Sequence, residues 1–236
     1  MKLITSGCSF SECISVHIDT WPRHLTRELT KFEHISVSRG SQGNGLISRR
    51  LIHQVTEQLK NNDASNLLVG IMWSGPDRHD YFTQNFDIGE LNWQENPTKF
   101  VKDSTGAWVI LNPWWDIPPA NLYYSKFYDR IGHCVYTLEH ILRTQWFLKS
   151  HNIKYFMSTY TSEVFPDIMK THAELDYLYN QIDFSNFLPV VGEYEWCKER
   201  SNFPFPAPPD QHPGTEQHKE FTDQVIIPFL KNKNYI

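Results

Sequence analysis

Two short stretches at opposite ends of the chain hold the residue types of nucleophilic catalysis. Ser6-Gly7-Cys8-Ser9-Phe10 follows an apolar run, and Pro209-Asp210-Gln211-His212-Pro213 lies near the C-terminus. In an extended segment residues i and i+2 point the same way, so Asp210 and His212 can touch. An aspartate bonded to one imidazole nitrogen fixes the tautomer and leaves the other nitrogen free as a base. Ser9 is the hydroxyl such a base would activate. Cys8 is the rival nucleophile, since a thiolate attacks readily. Neighbouring side chains of a strand end face opposite ways, so Cys8 should turn to the core if Ser9 faces a cleft. A plain strand-ending turn is the competing reading. Lipoprotein processing is excluded, because only Leu3 and Ile4 separate Lys2 from the small residues, where a signal needs an apolar core of about 7–15.

Other chemistries fare worse. His17-x-Asp19 and Asp210-x-His212 offer metal-ligand atoms, but no ligand set converges in sequence, so no metal is expected. No Gly-x-x-x-x-Gly-Lys loop is present, and no cofactor is expected. A net charge of -5 and a pI near 6.1 argue against binding nucleic acid through phosphates. The four cysteines form no CxxC pair, as expected of reduced thiols in a cytoplasmic compartment. No apolar run reaches the roughly 20 residues that span a bilayer, so no membrane partner is expected.

The elements that must position these groups read as one domain over residues 1–236. Residues 2–5 form a short buried strand. Thr20 caps a helix with Pro22 in its first turn and an apolar face at Leu25 and Leu29. Residues 35–38 are a second strand, ending in the glycine-rich loop 39–45. Ile47, Leu51, Val55 and Leu59 mark the next helix. Residues 67–73 are apolar throughout, as in a strand buried on both faces. Ile131, Cys134, Leu138, Ile141 and Leu142 mark a long helix, residues 154–159 a fourth strand, and Phe221, Val225 and Phe229 a last helix. This alternation predicts a three-layer α/β/α fold on a central parallel sheet. Residues 74–120 show no clean periodicity and hold Trp93, Trp108, Trp114 and Trp115, which suggests an insertion or lid. Ligands of such sheets sit beyond the carboxyl ends of the strands, where loops 6–11, 39–45 and 74–80 gather.

Gly7-Cys8-Ser9 after the first strand, and Asp210-x-His212-Pro213 followed by His218 at the final helix, resemble the first and last blocks of the SGNH (GDSL-type) hydrolases. The "GCSF" and "WSGPDR" stretches are similar to a subgroup found in phage and marine bacterial proteins. The resemblance covers nearly the whole chain. It implies a flavodoxin-like SGNH fold and a triad of Ser9, His212 and Asp210. It further implies an oxyanion hole of the Ser9 and Gly40 N–H groups, with Gly43 or Asn44 as alternatives. The third block departs from the family pattern, because Gly75 stands where an oxyanion asparagine is usual. Loss of one such donor costs about 10²–10³ in rate, and Arg78 is the expected substitute. Trp73, Ser74, Arg78, Trp114 and Trp115 are the expected substrate-binding residues. The reaction implied is ester hydrolysis, with carbohydrate O-acetyl esters favoured as substrates. A non-catalytic glycan-binding or structural module, and an O-acyltransferase using the same triad, are the alternatives. His218 is expected to pack or cap near the helix start.

Overall fold

The computed structural model describes residues 1–12, 18–84, 87–88, 91–92, 99–102, 105–206 and 212–236. Four strands form the central sheet: β1 (Lys2–Ser6), β2 (Glu33–Ser36), β3 (Leu67–Trp73) and, later in the chain, β9 (Lys154–Thr159). All pair in parallel, in the order β2-β1-β3-β9. The chain moves outward from β1 to β2, then back across β1 to β3. Right-handed crossovers therefore throw the two connecting helices, α1 (Trp21–Glu28) and α2 (Asn44–Leu59), onto opposite faces.

Strand periodicity explains the two cores. Ile4, Val69, Ile71, Trp73, Tyr155 and Met157 pack with Ile47, Leu51 and Val55 of α2 and with Leu138 and Ile141 of α4 (Arg130–Ser150). The alternate residues Leu3, Leu68, Met72 and Phe156 pack with Trp21 and Leu25 of α1 and with Phe221 near the C-terminus. Each such large side chain removed from water contributes about 1.5–3 kcal/mol. The result is a mixed α/β fold whose parallel sheet carries helices on both faces.

Two boundaries differ from the sequence reading. The second strand starts at Glu33, two residues early, because pairing with β1 sets its register from Lys2↔Glu33 to Thr5↔Ser36. Its edge position leaves its side chains half-exposed, so hydropathy does not mark it. The last helix is not uniform: α8 (Thr215–Phe221) and α9 (Ile227–Asn232) are joined by a π-helical turn, Thr222–Ile226. The extra residue shifts the phase, so Leu230 is buried where the expected spacing puts Phe229.

The segment after β3 is more regular than its sequence. It contains β4 (His79–Thr83), a short pair of β5 (Asp87–Ile88) and β6 (Leu91–Asn92), then β7 (Phe100–Lys102), β8 (Ala107–Leu111) and α3 (Pro118–Lys126). β4, β8 and β7 make an antiparallel sheet around Phe100, Val109 and Leu111. The remaining helices are α5 (Ile168–Thr171), α6 (Ala173–Tyr179) and α7 (Glu193–Arg200).

Candidate active site

β1 ends where the chain must turn sharply over its neighbour. A Cβ at Gly7 would lie 2.4 Å from Ser11 Oγ and 3.0 Å from Met72 O, so no larger residue fits. The Gly7 carbonyl is pinned by Gln42 Nε2 at 2.6 Å and by the Arg39 N–H at 3.1 Å. The turn leaves Ser9 partly exposed between buried Cys8 and Phe10. Cys8 thus lies in the core on the α1 side, as alternation predicts.

Ser9 Oγ lies 2.7 Å from His212 Nε2, a contact between residues 203 positions apart. The Phe10 ring stands 5.0 Å from the His212 ring and 5.2 Å from Tyr160, so the hydrophobic residue after Ser9 braces the imidazole. Beyond His212 the helix start is fixed by the Gly214 N–H, which donates to Gln217 Oε1 at 2.8 Å. Asp210 lies outside the described residues.

The expected oxyanion donors are arranged otherwise. Gly40 sits beside Ser9, its hypothetical Cβ 3.9 Å from Ser9 Cβ, but its N–H donates to Glu12 Oε2 at 2.6 Å. A carboxylate outcompetes neutral acceptors for a backbone N–H, which accounts for the engagement. Glu12 also faces Arg39 at 3.4 Å. Asn44 is buried with its amide saturated: Nδ2 donates to Ser74 O and Thr137 Oγ1, and Oδ1 accepts from the Ser74 N–H. Gly43, the other alternative, donates its N–H to Asp80. Among the described residues no hydrogen bond claims the Ser9 N–H.

The substrate-binding candidates divide. Trp73 is fully buried, its indole N–H donating to Met157 Sδ, and belongs to the core. Ser74 is fully buried too, its hydroxyl donating to Gln42 O. Both side chains serve packing, because the strand carries on to Trp73 and Asn44 closes over its end. Trp115 packs on the insert's own cluster with the Lys99 ammonium over its ring. Trp114 is exposed, and Arg78 reaches it. Trp93 lies outside the described residues.

Arg78 is the informative member. Its Cζ lies 5.0 Å from the Tyr160 ring and 5.3 Å from that of Trp114. Nε and Nη1 are shielded from solvent and hydrogen-bonded to nothing among the described residues. Burial alone would lower its pKa, yet the facing Cys8, Tyr160 and Asp77 raise it on balance. It makes no ion pair with a surface carboxylate among the described residues. A cation is thus held against the residue next to Ser9.

Sequence reasoning missed Glu12 and Glu193. His218 is buried at the start of α8, its Nδ1 2.7 Å from Glu193 Oε1. That confirms its expected packing role, with a partner 25 residues earlier that no local spacing reveals. Among the described residues no group of three His, Cys, Asp or Glu is placed to hold a metal ion, and no helix is long and apolar enough to cross a membrane. A scan against protein-family models and searches of curated proteins and solved structures returned no match.

Proposed function

We propose that this chain is a serine ester hydrolase of the SGNH type, acting on O-acyl groups of a carbohydrate. The observation that carries the reading is the 2.7 Å approach of Ser9 Oγ to His212 Nε2 at the carboxyl end of β1. The strand order, with the first strand between the second and third, is that of flavodoxin-like sheets, whose ligands bind at this switch point.

In this mechanism the Nδ1–H tautomer of His212 leaves Nε2 to accept the Ser9 hydroxyl proton. Ser9 Oγ attacks the ester carbonyl, and the alcohol departs with a proton from His212. Water, deprotonated by His212, then releases the acid and regenerates Ser9. Asp210 is assigned the orienting role from its sequence position alone. The Ser9 N–H and the Arg78 guanidinium are the donors available to the developing oxyanion. Gly40 joins them only if Glu12 withdraws.

The Gly40–Glu12 bond favours a second reading as well, a slow or non-catalytic glycan-binding module on the same fold. A fluorophosphonate probe separates the two. The hydrolase reading expects wild-type protein to be labelled at Ser9 and to turn over a simple acetyl ester, with both lost in Ser9→Ala. Folded wild-type protein that is neither labelled nor active refutes the hydrolase reading.

A further inference from the structure

A cavity of about 240 Å³ lies between α2, α4 and the strands β4 and β8. Neither Ser9 nor His212 lines it. Its wall contains three arginines, Arg49, Arg78 and Arg143, against a single carboxylate, Asp80. Asp80 is already engaged: Oδ1 accepts from the Gly43 N–H at 3.1 Å and Oδ2 from the Leu46 N–H at 3.2 Å. Among the described residues none of the three arginines makes a salt bridge to a carboxylate, although Arg78 faces Cys8 and Asp77. Arg143 donates from Nε and Nη2 only to the Ser48 hydroxyl, Arg49 lies 4.6 Å over the Trp108 ring, and Arg78 Nε and Nη1 bond to nothing among the described residues.

Like charges crowd this space. Burial first, then Arg143 and Arg49, push His140 down to about 4. His79 is likewise held near 4, by burial and by His133. Both imidazoles are therefore neutral at pH 7, and the His133 ring is tied to Pro76 O and Tyr123 Oη. A concave space lined by cations that make no salt bridge concentrates anions, because its low-dielectric walls focus the field. Arg49 and Arg143 are exposed at its mouth and Arg78 lies deeper, an arrangement that draws an anion inward.

We propose that this cavity binds a small molecule carrying an oxyanion, a carboxylate or a phosphate ester, on a body no larger than about one sugar ring. The anion bridges Arg49 and Arg143, whose planar guanidinium groups suit two-oxygen recognition, and its inner oxygen meets Arg78. The size limit comes from the volume, which falls below the roughly 300–1,000 Å³ of drug-sized sites. The proposal shares Arg78 with the esterase reading but does not require Ser9 or His212.

The test is calorimetric titration of the full chain at pH 7 and low salt with glucuronate, glucose 6-phosphate, inorganic phosphate and, as neutral control, glucose. Saturable one-to-one binding of at least one anion and none of glucose is expected. Glucuronate and the phosphates identify which oxyanion is preferred. Arg49→Gln and Arg143→Gln change exposed side chains, so both variants should fold, and each should weaken binding about tenfold, or ~1.4 kcal/mol. Added salt should weaken it further. Ser9→Ala should bind the anion like wild type while losing any ester turnover, so the two readings fail separately. Absence of saturable binding by every anion, equal binding of glucose, or unchanged affinity in both arginine variants overturns the proposal.

Discussion

Replacing His218 with alanine should destabilise the protein more than any change at the Ser9–His212 pair. Glu193 and His218 are 0% and 1% exposed, and Glu193 Oε2 has no partner among the described residues. Burial already raises the Glu193 pKa, and His218 is the chief influence holding it down. Without the imidazole the carboxylate keeps its desolvation cost and loses its counter-group. Removing one partner of a buried pair costs about 3–5 kcal/mol. In a chain of this size each kcal/mol moves Tm by about 2–4 °C, so the midpoint should fall by roughly 6–20 °C. Glu193→Gln keeps an acceptor for the imidazole N–H without a buried charge, and should cost only about 1–2 kcal/mol. Replacing both residues with leucine should restore much of the loss, since an apolar pair has no charge to desolvate. Urea unfolding followed by tryptophan fluorescence gives each ΔG by linear extrapolation. A His218→Ala loss under about 0.5 kcal/mol, the scale of ordinary surface changes, would refute the reasoning. So would Glu193→Gln proving the more damaging variant.

Three further outcomes are expected. Gly70→Ala puts a Cβ 2.6 Å from Phe156 Cζ and 3.1 Å from Trp21 Cη2; overpacking costs about 1–3 kcal/mol, so differential scanning fluorimetry should show Tm lowered by roughly 2–12 °C, and an unchanged Tm would contradict the close approach. Burial raises Asp80 from 3.8 to about 6 against the pull of Gly43, Leu46, Arg78 and Arg50. A raised folded-state pKa gives stability that is full below the unfolded value and lost as pH rises through the folded one. The stability of wild type relative to Asp80→Asn should therefore fall by ~2 kcal/mol between pH 4 and pH 7, and a difference that grows with pH would show a stabilised carboxylate instead. If Ser9 and His212 act as a unit, Ser9→Ala and His212→Ala should each abolish acetyl-ester turnover and the double variant should lose little more, whereas Cys8→Ala should cost packing alone; residual turnover in Ser9→Ala that vanishes in Cys8→Ala would make the cysteine the nucleophile.

The parallel sheet was legible because its signals are local. Residues 67–73 are a strand over the whole apolar run that marks them, since a strand buried on both faces has no polar residue to blur its edges, and residues 154–159 are a strand around the apolar Tyr155, Phe156 and Met157. The four-residue recurrence in α2 likewise needs only its own segment. Where the reading slipped, the deciding interaction was distant. The start of β2 is set by pairing with β1. The phase of the last helix is set by a π turn just before Pro228, whose missing N–H already weakens the regular ladder there. The sheet of the insert was hidden because β4 alternates no apolar face: His79 and Asp80 serve the cavity and the α2 start instead of a core.

The site divides along the same line, and the division says which residues deserve mutation first. Ser9 and His212 were legible because each is tied to a motif a few residues long, beside an element whose type was clear. Gly40 and Asn44 were nominated by loop position, but a backbone N–H carries no sequence mark of its acceptor. Glu12 reaches Gly40 from 28 residues away and Ser74 reaches Asn44 from 30. A glycine at a strand end reports only that the backbone comes close to something; whether that is a substrate oxygen or a neighbouring carboxylate is a tertiary fact. Glu12 is therefore the residue on which the two functional readings part. If its carboxylate holds the Gly40 N–H permanently, the pocket keeps the Ser9 N–H and Arg78 as its donors, and the fold serves binding more readily than turnover. If a substrate oxygen displaces it, the same bond marks a resting state, with a negative charge keeping the donor aimed at the place where negative charge will develop.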